Sequence, residues 1–348
     1  MKGKKWLSSI LVIAMLAGLA ACSSQAGTPS QSGGEQGGGE QGGGQEEHTY
    51  QVAVLIPGSI NDGGWGTTGY EGAKQAAESI GAEFSYTETK SPQDAIEALT
   101  DYGERGFDIV FCHSYDYQDA CSRVAPDYPN TQFITSGGTV MTENITPIYV
   151  QSEQASYLLG VLAAKTTTTG KIGLVGSEEL PSITKTMVGF EQGVKDTDAN
   201  VEVTTTYLGT STDVGKAREA TVALINSGCD IIFGNANAAA QGVFQAVDEN
   251  KDKGVLGFGS YGRITQTYPD CFLADMISDY TPVFIKMAGE IKDGTFVPGE
   301  QYFADIFNGG AVIYFNDQLP VSDEAQAAYD AAVEKFRNGE IEIDIGEY

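Results

Sequence analysis

The sequence predicts an α/β protein built from two doubly wound parallel-sheet lobes that are joined by a hinge. From residue 49 onward, short apolar runs alternate with amphipathic stretches, which is the pattern of βαβ units in a parallel sheet. The series of strands and helices then occurs a second time, with corresponding strands 120 to 122 residues apart. The matching positions are Val52 with Ile172, Glu83 with Val203, Val110 with Ile231 and Phe133 with Val255.

The first series contains four predicted strands and three predicted helices. Gly81 and Gly106 stand where the first two helices should end, and Gly228 has the equivalent place in the second series, because glycine is favoured just after a helix. The predicted strands cover residues 52–56, 82–86, 108–112 and 132–135, and the predicted helices cover residues 70–80, 92–105 and 118–125.

The second series repeats this order and then continues into a C-terminal extension. Asp323 is the expected N-cap of the last helix, with Gln326 at its third position. The predicted strands cover residues 171–175, 201–206, 230–233, 255–258, 271–276 and 311–315, and the predicted helices cover residues 184–194, 214–226, 239–250, 281–292 and 323–337.

The two lobes are expected to exchange segments across the hinge. The stretch 275–294 follows the second series, and we expect it to return to the first lobe. The predicted first lobe is therefore 49–150 plus about 265–295, and the predicted second lobe is 151–264 plus about 296–348.

The N-terminus has the form of an export signal. Residues 1–5 carry three lysines, residues 6–17 are mostly apolar, and small residues precede Cys22. A cysteine in this place resembles the end of a bacterial lipoprotein signal, which implies cleavage after residue 21 and a lipid on Cys22. The alternatives are an ordinary signal peptide or a membrane helix, although the apolar run is shorter than the roughly 20 residues that a bilayer requires. Residues 22–48, mostly Gly, Gln, Glu and Ser, then form a disordered tether at the extracytoplasmic face of the cell membrane.

The charge of the chain argues against two classes of partner. There are 20 Lys and Arg residues against 47 Asp and Glu residues, and the formal net charge of -27 becomes -30 once the three lysines of the predicted signal are removed. So acidic a surface argues against binding of nucleic acid and against direct binding of anionic lipid.

Cysteine and histidine form no pattern typical of a metal site or a catalytic centre. Four cysteines lie in the body: Cys112, Cys121, Cys229 and Cys271. They can form disulfides in three full pairings, or stay as buried thiols. There is no CxxC motif and there are only two histidines, so we expect neither a metal nor a cofactor. Ser114 follows His113 directly, but neighbours on an extended chain point apart, and no G-x-S-x-G elbow occurs. We therefore expect a binding protein and not an enzyme.

Six loops are expected to line the ligand site. Ligands of open parallel sheets bind beyond the carboxyl ends of the strands, and the two sets of loops line one cleft if the lobes face each other. The loops are 57–65, 113–117 and 136–138 in the first lobe, and 176–181, 235–237 and 259–261 in the second.

The first of these loops carries the strongest binding signal. Gly64 and the glycine before it let the backbone approach a ligand closely. Asp62, next to Asn61, can accept hydrogen bonds from ring nitrogens or hydroxyls, and Trp65 can stack on a flat ring or a sugar face. The alternative is that Asp62 caps the next helix and Trp65 packs between the lobe and the loop. The loop lacks the GxGxxG and P-loop patterns of nucleotide-phosphate sites.

Five motifs in the body are shared with a known family. The first is NDGGW at residues 61–65, followed after four residues by YEGA, and the others lie at residues 157–164, 170–173, 189–194 and 279–282. Together they resemble the basic membrane protein family, whose members are substrate-binding lipoproteins of ABC transporters. The resemblance runs from about residue 51 to residue 320. It implies a type I periplasmic-binding-protein fold, a small-molecule ligand, an ABC permease as partner, and a monomer.

The resemblance also implies a ligand class and residue roles. Several family members bind purine nucleosides, and a branch with tryptophan in the first loop binds purine bases. By this resemblance Trp65 would stack on the base, and Asp62 or Asn61 would form hydrogen bonds near it. Ser260 stands near the place of the family's ribose-binding aspartate, and Asp279 lies in the turn where the family has a lysine. A free base or another small flat ligand is therefore favoured over a nucleoside. The alternatives are a receptor-coupled sensing protein, or a binder of a sugar or autoinducer-like ligand.

The other candidate ligand residues stand at strand ends. His113 and Asn235 can offer hydrogen bonds to a ligand. The alternatives are a helix cap or a structural histidine for His113, and an Asx turn for Asn235. Tyr261 can supply a second stacking surface, and so can Tyr280, for which core packing is the alternative. The remaining candidates are Glu178, for which plain solvation is the alternative, Ser114 and Ser136.

Overall fold

The computed structural model describes residues 48–61 and 65–346 of the chain. The predicted signal, the predicted lipidation site Cys22 and nearly all of the predicted tether lie outside the described residues, and so do Asp62 and Gly64. Within the described part, no helix combines the length and the apolar character needed to cross a bilayer.

The described residues form twelve strands and ten α-helices. The strands are β1 (Gln51–Pro57), β2 (Glu83–Thr89), β3 (Ile109–Cys112), β4 (Gln132–Ser136), β5 (Ile145–Val150), β6 (Lys171–Gly176), β7 (Glu202–Tyr207), β8 (Ile231–Asn235), β9 (Leu256–Ser260), β10 (Phe272–Ser278), β11 (Tyr302–Ala304) and β12 (Ala311–Phe315). The helices are α1 (Trp65–Ile80), α2 (Pro92–Glu104), α3 (Gln118–Val124), α4 (Ser152–Thr166), α5 (Pro181–Thr197), α6 (Val214–Asn226), α7 (Ala240–Glu249), α8 (Ile264–Thr267), α9 (Thr281–Asp293) and α10 (Asp323–Arg337).

The strands form two six-stranded sheets with the same central order. The first sheet is β11-β5-β4-β3-β1-β2, and all of its strands are parallel. The second is β12-β10-β9-β8-β6-β7, parallel except for β12, which runs antiparallel to β10. The four strands predicted to correspond occupy the same places in both sheets, which confirms the two doubly wound lobes. Strands β5 and β11 were not predicted.

Helices cover both faces of each sheet, as the strand β1 illustrates. Val52, Val54 and Ile56 belong to the core under α1 and α9, while Ala53 and Leu55 belong to the core under α2 and α3. This alternation follows from the two-residue period of a strand, with both faces apolar because both are covered. The second sheet is covered by α4, α5 and α10 on one face and by α6 and α7 on the other.

The chain crosses between the two sheets three times within the described residues: from β5 to α4, from β10 to α9, and from β11 to β12. Helix α9 returns to the first lobe as expected, where it packs on α1. The predicted boundaries near residues 265 and 296 are wrong, however. Strand β10 pairs with β9 in the second sheet, and β11 pairs with β5 in the first. A strand pattern reveals burial, but it does not reveal which of two similar sheets the strand joins.

Helices α4 and α5 pack with their backbones in direct contact. A Cβ atom on Gly160 would lie 2.1 Å from the carbonyl oxygen of Phe190, and a Cβ atom on Gly193 would lie 2.1 Å from that of Tyr157. Only glycine allows so close an approach. Helix α4 follows the first crossing directly, so this packing fixes the start of the second lobe relative to its core.

The last helix spans the predicted residues, but its N-cap lies one residue earlier than predicted. Ser322 is the N-cap of α10, since its hydroxyl oxygen accepts a hydrogen bond of 3.2 Å from the backbone N–H of Ala325. Asp323, the predicted N-cap, is instead the first helical residue, where a negative charge is favourable at the helix N-terminus.

Candidate ligand-binding site

The indole of Trp65 is held in a fixed plane where the carboxyl ends of β1 and β3 meet. Trp65 opens α1, and its Nε1–H donates a hydrogen bond of 2.9 Å to the carbonyl oxygen of His113. The two rings stack with centroids 4.1 Å apart and planes inclined by 20°. The Nε2 atom of His113 lies 3.1 Å from the carbonyl oxygen of Trp65, so the two residues are joined in both directions.

His113 is a support for this indole, and it is itself fully buried. Its Nδ1 atom lies 2.8 Å from the hydroxyl oxygen of Ser136 at the end of β4. A carbonyl oxygen can only accept, so Nε2 carries a proton toward Trp65; in the neutral imidazole, Nδ1 then accepts from the hydroxyl of Ser136. The predicted site residues Trp65, His113 and Ser136 are therefore brought together, and they link the carboxyl ends of three neighbouring strands.

Two further residues shape this cluster. Gly69, one turn into α1, leaves the space that the imidazole fills, because a Cβ atom there would lie 2.2 Å from Cδ2 of His113. Tyr280 meets the indole edge-on at 5.4 Å and the imidazole edge-on at 4.9 Å. Tyr280 is buried, and burial raises the pKa of its hydroxyl. It packs in the core of the first lobe, which was the alternative to a stacking role.

Trp65 remains half-buried despite these contacts. The imidazole covers one face of the indole, so a flat ligand would have to stack on the opposite face. Because the indole N–H is already bonded to the protein, the orientation of the ring is set before any ligand arrives. Preorganisation of this kind lowers the entropic cost of binding.

The first loop is anchored to the end of β2. The backbone N–H of Ile60 donates to Oε1 of Glu88 at 2.9 Å, and the hydroxyl of Thr67 donates to the carbonyl oxygen of Ile60 at 2.9 Å. Asn61 is exposed, and its backbone N–H donates to Oγ of Ser59. The side chain of Asn61 is thus on the surface at the carboxyl edge of the first sheet.

In the second lobe, the side chain of Asn235 is buried and bonded within the protein. Its Nδ2 donates a hydrogen bond of 2.7 Å to Oγ1 of Thr186, and its Oδ1 accepts from the hydroxyl of Tyr261. Ser260, also buried, donates its hydroxyl to the carbonyl oxygen of Gly234. Both residues stand at strand ends as predicted, and their polar groups link the carboxyl ends of β8 and β9 to each other and to helix α5.

Tyr261 adopts an uncommon backbone conformation at the end of β9. Its φ angle is 66°, in the left-handed region that costs a residue with a side chain about 1–2 kcal/mol. The bond to Asn235 holds the half-buried ring in place, and burial raises the pKa of its hydroxyl to about 12. Strained residues of this kind cluster at functional sites.

The remaining predicted residues stabilise local turns or face solvent. Oγ of Ser114 accepts from the backbone N–H of Asp116 and caps a short 3₁₀ turn, Tyr115–Tyr117. Oδ1 of Asp279 accepts from the backbone N–H of Thr281 at 2.8 Å, at the start of α9. Glu178 is partly exposed just beyond the carboxyl end of β6.

A buried charge pair beside the first crossing was not predicted. Lys185 on α5 of the second lobe donates to the carbonyl oxygen of Val150 on β5 of the first lobe. Its Nζ atom lies 3.6 Å from Oε2 of Glu153 and 4.1 Å from the ring centroid of Tyr149. Burial lowers the pKa of Lys185 and raises the pKa of Glu153, and the attraction between the two charges opposes both shifts. One signal for it was available: Lys185 lies one turn before Gly189, on the side of α5 that meets α4.

Similar proteins agree with this architecture. A purine-binding protein of Brucella abortus is 25% identical over 252 residues, which are 72% of this chain and 71% of that protein. The ABC transporter nucleoside-binding protein BmpA of Lactococcus lactis is 25% identical over 276 residues, 74% of this chain and 79% of that protein. A solved solute-binding protein of an ABC transporter system from Conexibacter woesei superimposes with a TM-score of 0.72 at 25% identity, covering 86% of this chain and 100% of that one.

The family model described as "ABC transporter substrate-binding protein PnrA-like" matches residues 49–346. Proteins of this kind bind a small molecule outside the cytoplasm, deliver it to a membrane permease and catalyse no reaction. The chain has two lobes of the type I periplasmic-binding-protein fold and a preorganised aromatic surface at the carboxyl end of the first sheet. It belongs to the Bmp family of ABC transporter substrate-binding proteins.

Proposed function

We propose that the protein captures a purine base in the cleft between its lobes, with a purine nucleoside as a weaker ligand. The observation that carries the proposal is the indole of Trp65, fixed by its hydrogen bond to His113 and backed on one face by the imidazole. A purine is a flat, nitrogen-containing ring that stacks on such a surface. The names of the two relatives, one purine-binding and one nucleoside-binding, support the same ligand class.

The surroundings of the site favour a base over a nucleoside. A ribose needs partners for its hydroxyls, and a carboxylate is the usual acceptor. Ser260, which stands near the expected place of that carboxylate, has its hydroxyl bonded to Gly234. Asp279 supplies a carboxylate just beyond the end of the neighbouring strand β10, but its Oδ1 already accepts a hydrogen bond from the backbone N–H of Thr281. The bond within the protein made by the Ser260 hydroxyl supports a base over a nucleoside.

A panel of ligands tests the proposal by thermal denaturation of the purified protein. Adenine, guanine, hypoxanthine, their ribonucleosides, glucose and galactose form the panel. A ligand at 100 times its Kd stabilises the folded state by about 2.7 kcal/mol, so a true ligand produces a clear rise in Tm. We expect the bases to give the largest rise. A rise with a sugar and none with any purine would refute the proposal.

Substitution of Trp65 provides the control for stacking. Stacking of a base on an aromatic side chain contributes about 1–3 kcal/mol, so Trp65→Ala should weaken binding by about 5- to 150-fold. Tyr86→Ala is the matched variant, since Tyr86 is an exposed aromatic residue on β2. It should leave the affinity unchanged.

We also propose that the protein is anchored by a lipid on Cys22, as the sequence predicts. Replacement of Cys22 by serine should move the protein from the membrane fraction to the soluble extracytoplasmic fraction. Retention of the Cys22→Ser protein in the membrane fraction would contradict the anchor while leaving the ligand proposal intact.

A further inference from the structure

Two of the four cysteines in the body are in contact with each other. The sulfur atoms of Cys112 and Cys121 lie 3.4 Å apart, and both side chains are fully buried. The sulfur atoms of Cys229 and Cys271 instead lie near oxygen atoms of a serine and an aspartate, at 3.8 and 3.9 Å. Among the bonds that these four cysteines could form, the structure thus favours the one between the first two, with the other two left as thiols.

The two cysteines enclose one of the site loops. Cys112 is the last residue of β3, and Cys121 lies in α3. Between them are His113, which supports the indole, and the turn capped by Ser114. Because neighbouring side chains of a strand point to opposite faces, Cys112 faces the core under α3 while His113 faces Trp65. A bond between the cysteines would fix this loop from behind the site.

We propose that Cys112 and Cys121 form a disulfide in the exported protein. Extracytoplasmic proteins fold where disulfides form and persist. The oxidant is another disulfide, either of glutathione or of a thiol–disulfide oxidoreductase. One cysteine thiolate attacks the external disulfide, releases one thiol and forms a mixed disulfide. The second thiolate then displaces the other external thiol. The protein loses two protons and two electrons, and the external disulfide becomes two thiols.

The bond forms during folding. In the native protein both sulfurs are shielded from solvent, and burial raises the pKa of Cys112, so the reactive thiolate is scarce. In the unfolded chain both thiols are accessible. The sulfurs are already in contact in the folded state, and a bond requires them to approach to about 2.05 Å.

Peptide mapping tests the bond directly. Trypsin cleaves after Arg105 and Arg123, so one peptide, 106–123, contains both cysteines, while Cys229 and Cys271 fall in separate peptides. The purified protein is unfolded in a denaturant that contains iodoacetamide, in the absence of reductant, and is then digested. We expect peptide 106–123 to be unlabelled and two hydrogen masses lighter than its reduced form, and the other two cysteines to be labelled.

The same map also contains the result that would overturn the proposal. Two labels on peptide 106–123 from protein refolded in excess oxidised glutathione would rule the bond out. A disulfide joining peptide 106–123 to the peptide of Cys229 or Cys271 would do so as well. In the Cys112→Ala variant, Cys121 should become labelled.

Stability provides a second, independent measurement. The disulfide closes a loop of ten residues, from 112 to 121, and a loop of this size should raise Tm by about 4 °C in a body of this length. Wild-type protein refolded with a reductant should lose this increment in Tm. The Cys229→Ala variant keeps the disulfide, so refolding it with a reductant should lower its Tm by the same amount. Cys121→Ala should be insensitive to reductant. Equal Tm values for oxidised and reduced wild-type protein would contradict the proposal, even if the Cys121→Ala variant failed to fold.

Discussion

Replacement of Gly69 by alanine should displace the imidazole that supports the indole. A Cβ atom at this position would lie 2.2 Å from Cδ2 and 2.5 Å from Cγ of His113, whereas carbon atoms in contact normally lie about 3.5–4.0 Å apart. The ring must therefore move by about 1 Å or more. Such a movement breaks the stack on Trp65 and the hydrogen bond to Ser136.

The expected cost follows from three contributions. Forcing an extra methyl group into a packed core costs about 1–3 kcal/mol. Loss of the buried hydrogen bond between His113 and Ser136 costs about 1 kcal/mol. Replacement of glycine by alanine in a helix interior stabilises the folded state by about 0.5–1 kcal/mol, which offsets part of this cost. Gly69→Ala should therefore lower the free energy of unfolding by about 1–3.5 kcal/mol.

Urea denaturation followed by circular dichroism measures this difference, and Gly289→Ala is the matched control. Gly289 lies in the interior of α9, and a Cβ atom there would meet no atom within 4 Å. The control should gain about 0.5–1 kcal/mol. If Gly69→Ala proved as stable as Gly289→Ala, with the fluorescence of Trp65 unchanged, the role assigned to the imidazole would be wrong.

Three further predictions concern a buried charge pair, a hydrogen-bonded carboxylate and the contact between α4 and α5. Lys185→Met should cost about 3–5 kcal/mol in urea denaturation, because it leaves Glu153 buried without its cation, and Glu153→Gln in the same chain should restore part of the loss. Burial alone would raise the pKa of Asp230, but hydrogen bonds from the turn after α4 outweigh it and hold the pKa below its usual value. The contribution of the Asp230 carboxylate to stability is thus present above about pH 4 and is lost as the pH falls through the lower folded-state pKa. Asp230→Asn should therefore destabilise the protein at pH 7. The difference in stability from wild type should shrink in acid. Gly160→Ala should prevent native packing of α4 on α5, because the added Cβ meets the carbonyl oxygen of Phe190, and near-normal stability of that variant would contradict the close helix contact.

The repeated sheet core could be predicted from sequence because it depends on local periodicity. The central strands β1, β3, β6 and β8 are apolar runs that alternate with amphipathic helices, and β2 and β7, at the ends of the two sheets, alternate polar with less polar residues. Strand β5 contains Pro147 and lies close to the end of β4, so it has no helix to mark it as a separate unit. Strand β11 has only three residues, which is too short for any pattern to emerge.

The loops at which a ligand is expected could be placed from sequence, but the contacts of the polar residues within them could not. The six loops follow from the rule that ligands bind beyond the carboxyl ends of parallel strands. Whether a polar residue there faces a ligand or the protein depends on partners distant in sequence. Asn235 bonds to Thr186, which is 49 residues away, and His113 bonds to Ser136, which is 23 residues away. No local pattern contains that information.

The crystal structure of the protein with the purine that raises Tm most is the most direct test of the binding site. The ring should lie parallel to the indole of Trp65, on the face opposite His113, at about the 3.5–4.0 Å separation of atoms in contact. The imidazole should keep its stack and its hydrogen bond to Ser136. A purine bound elsewhere in the cleft, with no contact to that face of the indole, would contradict the account.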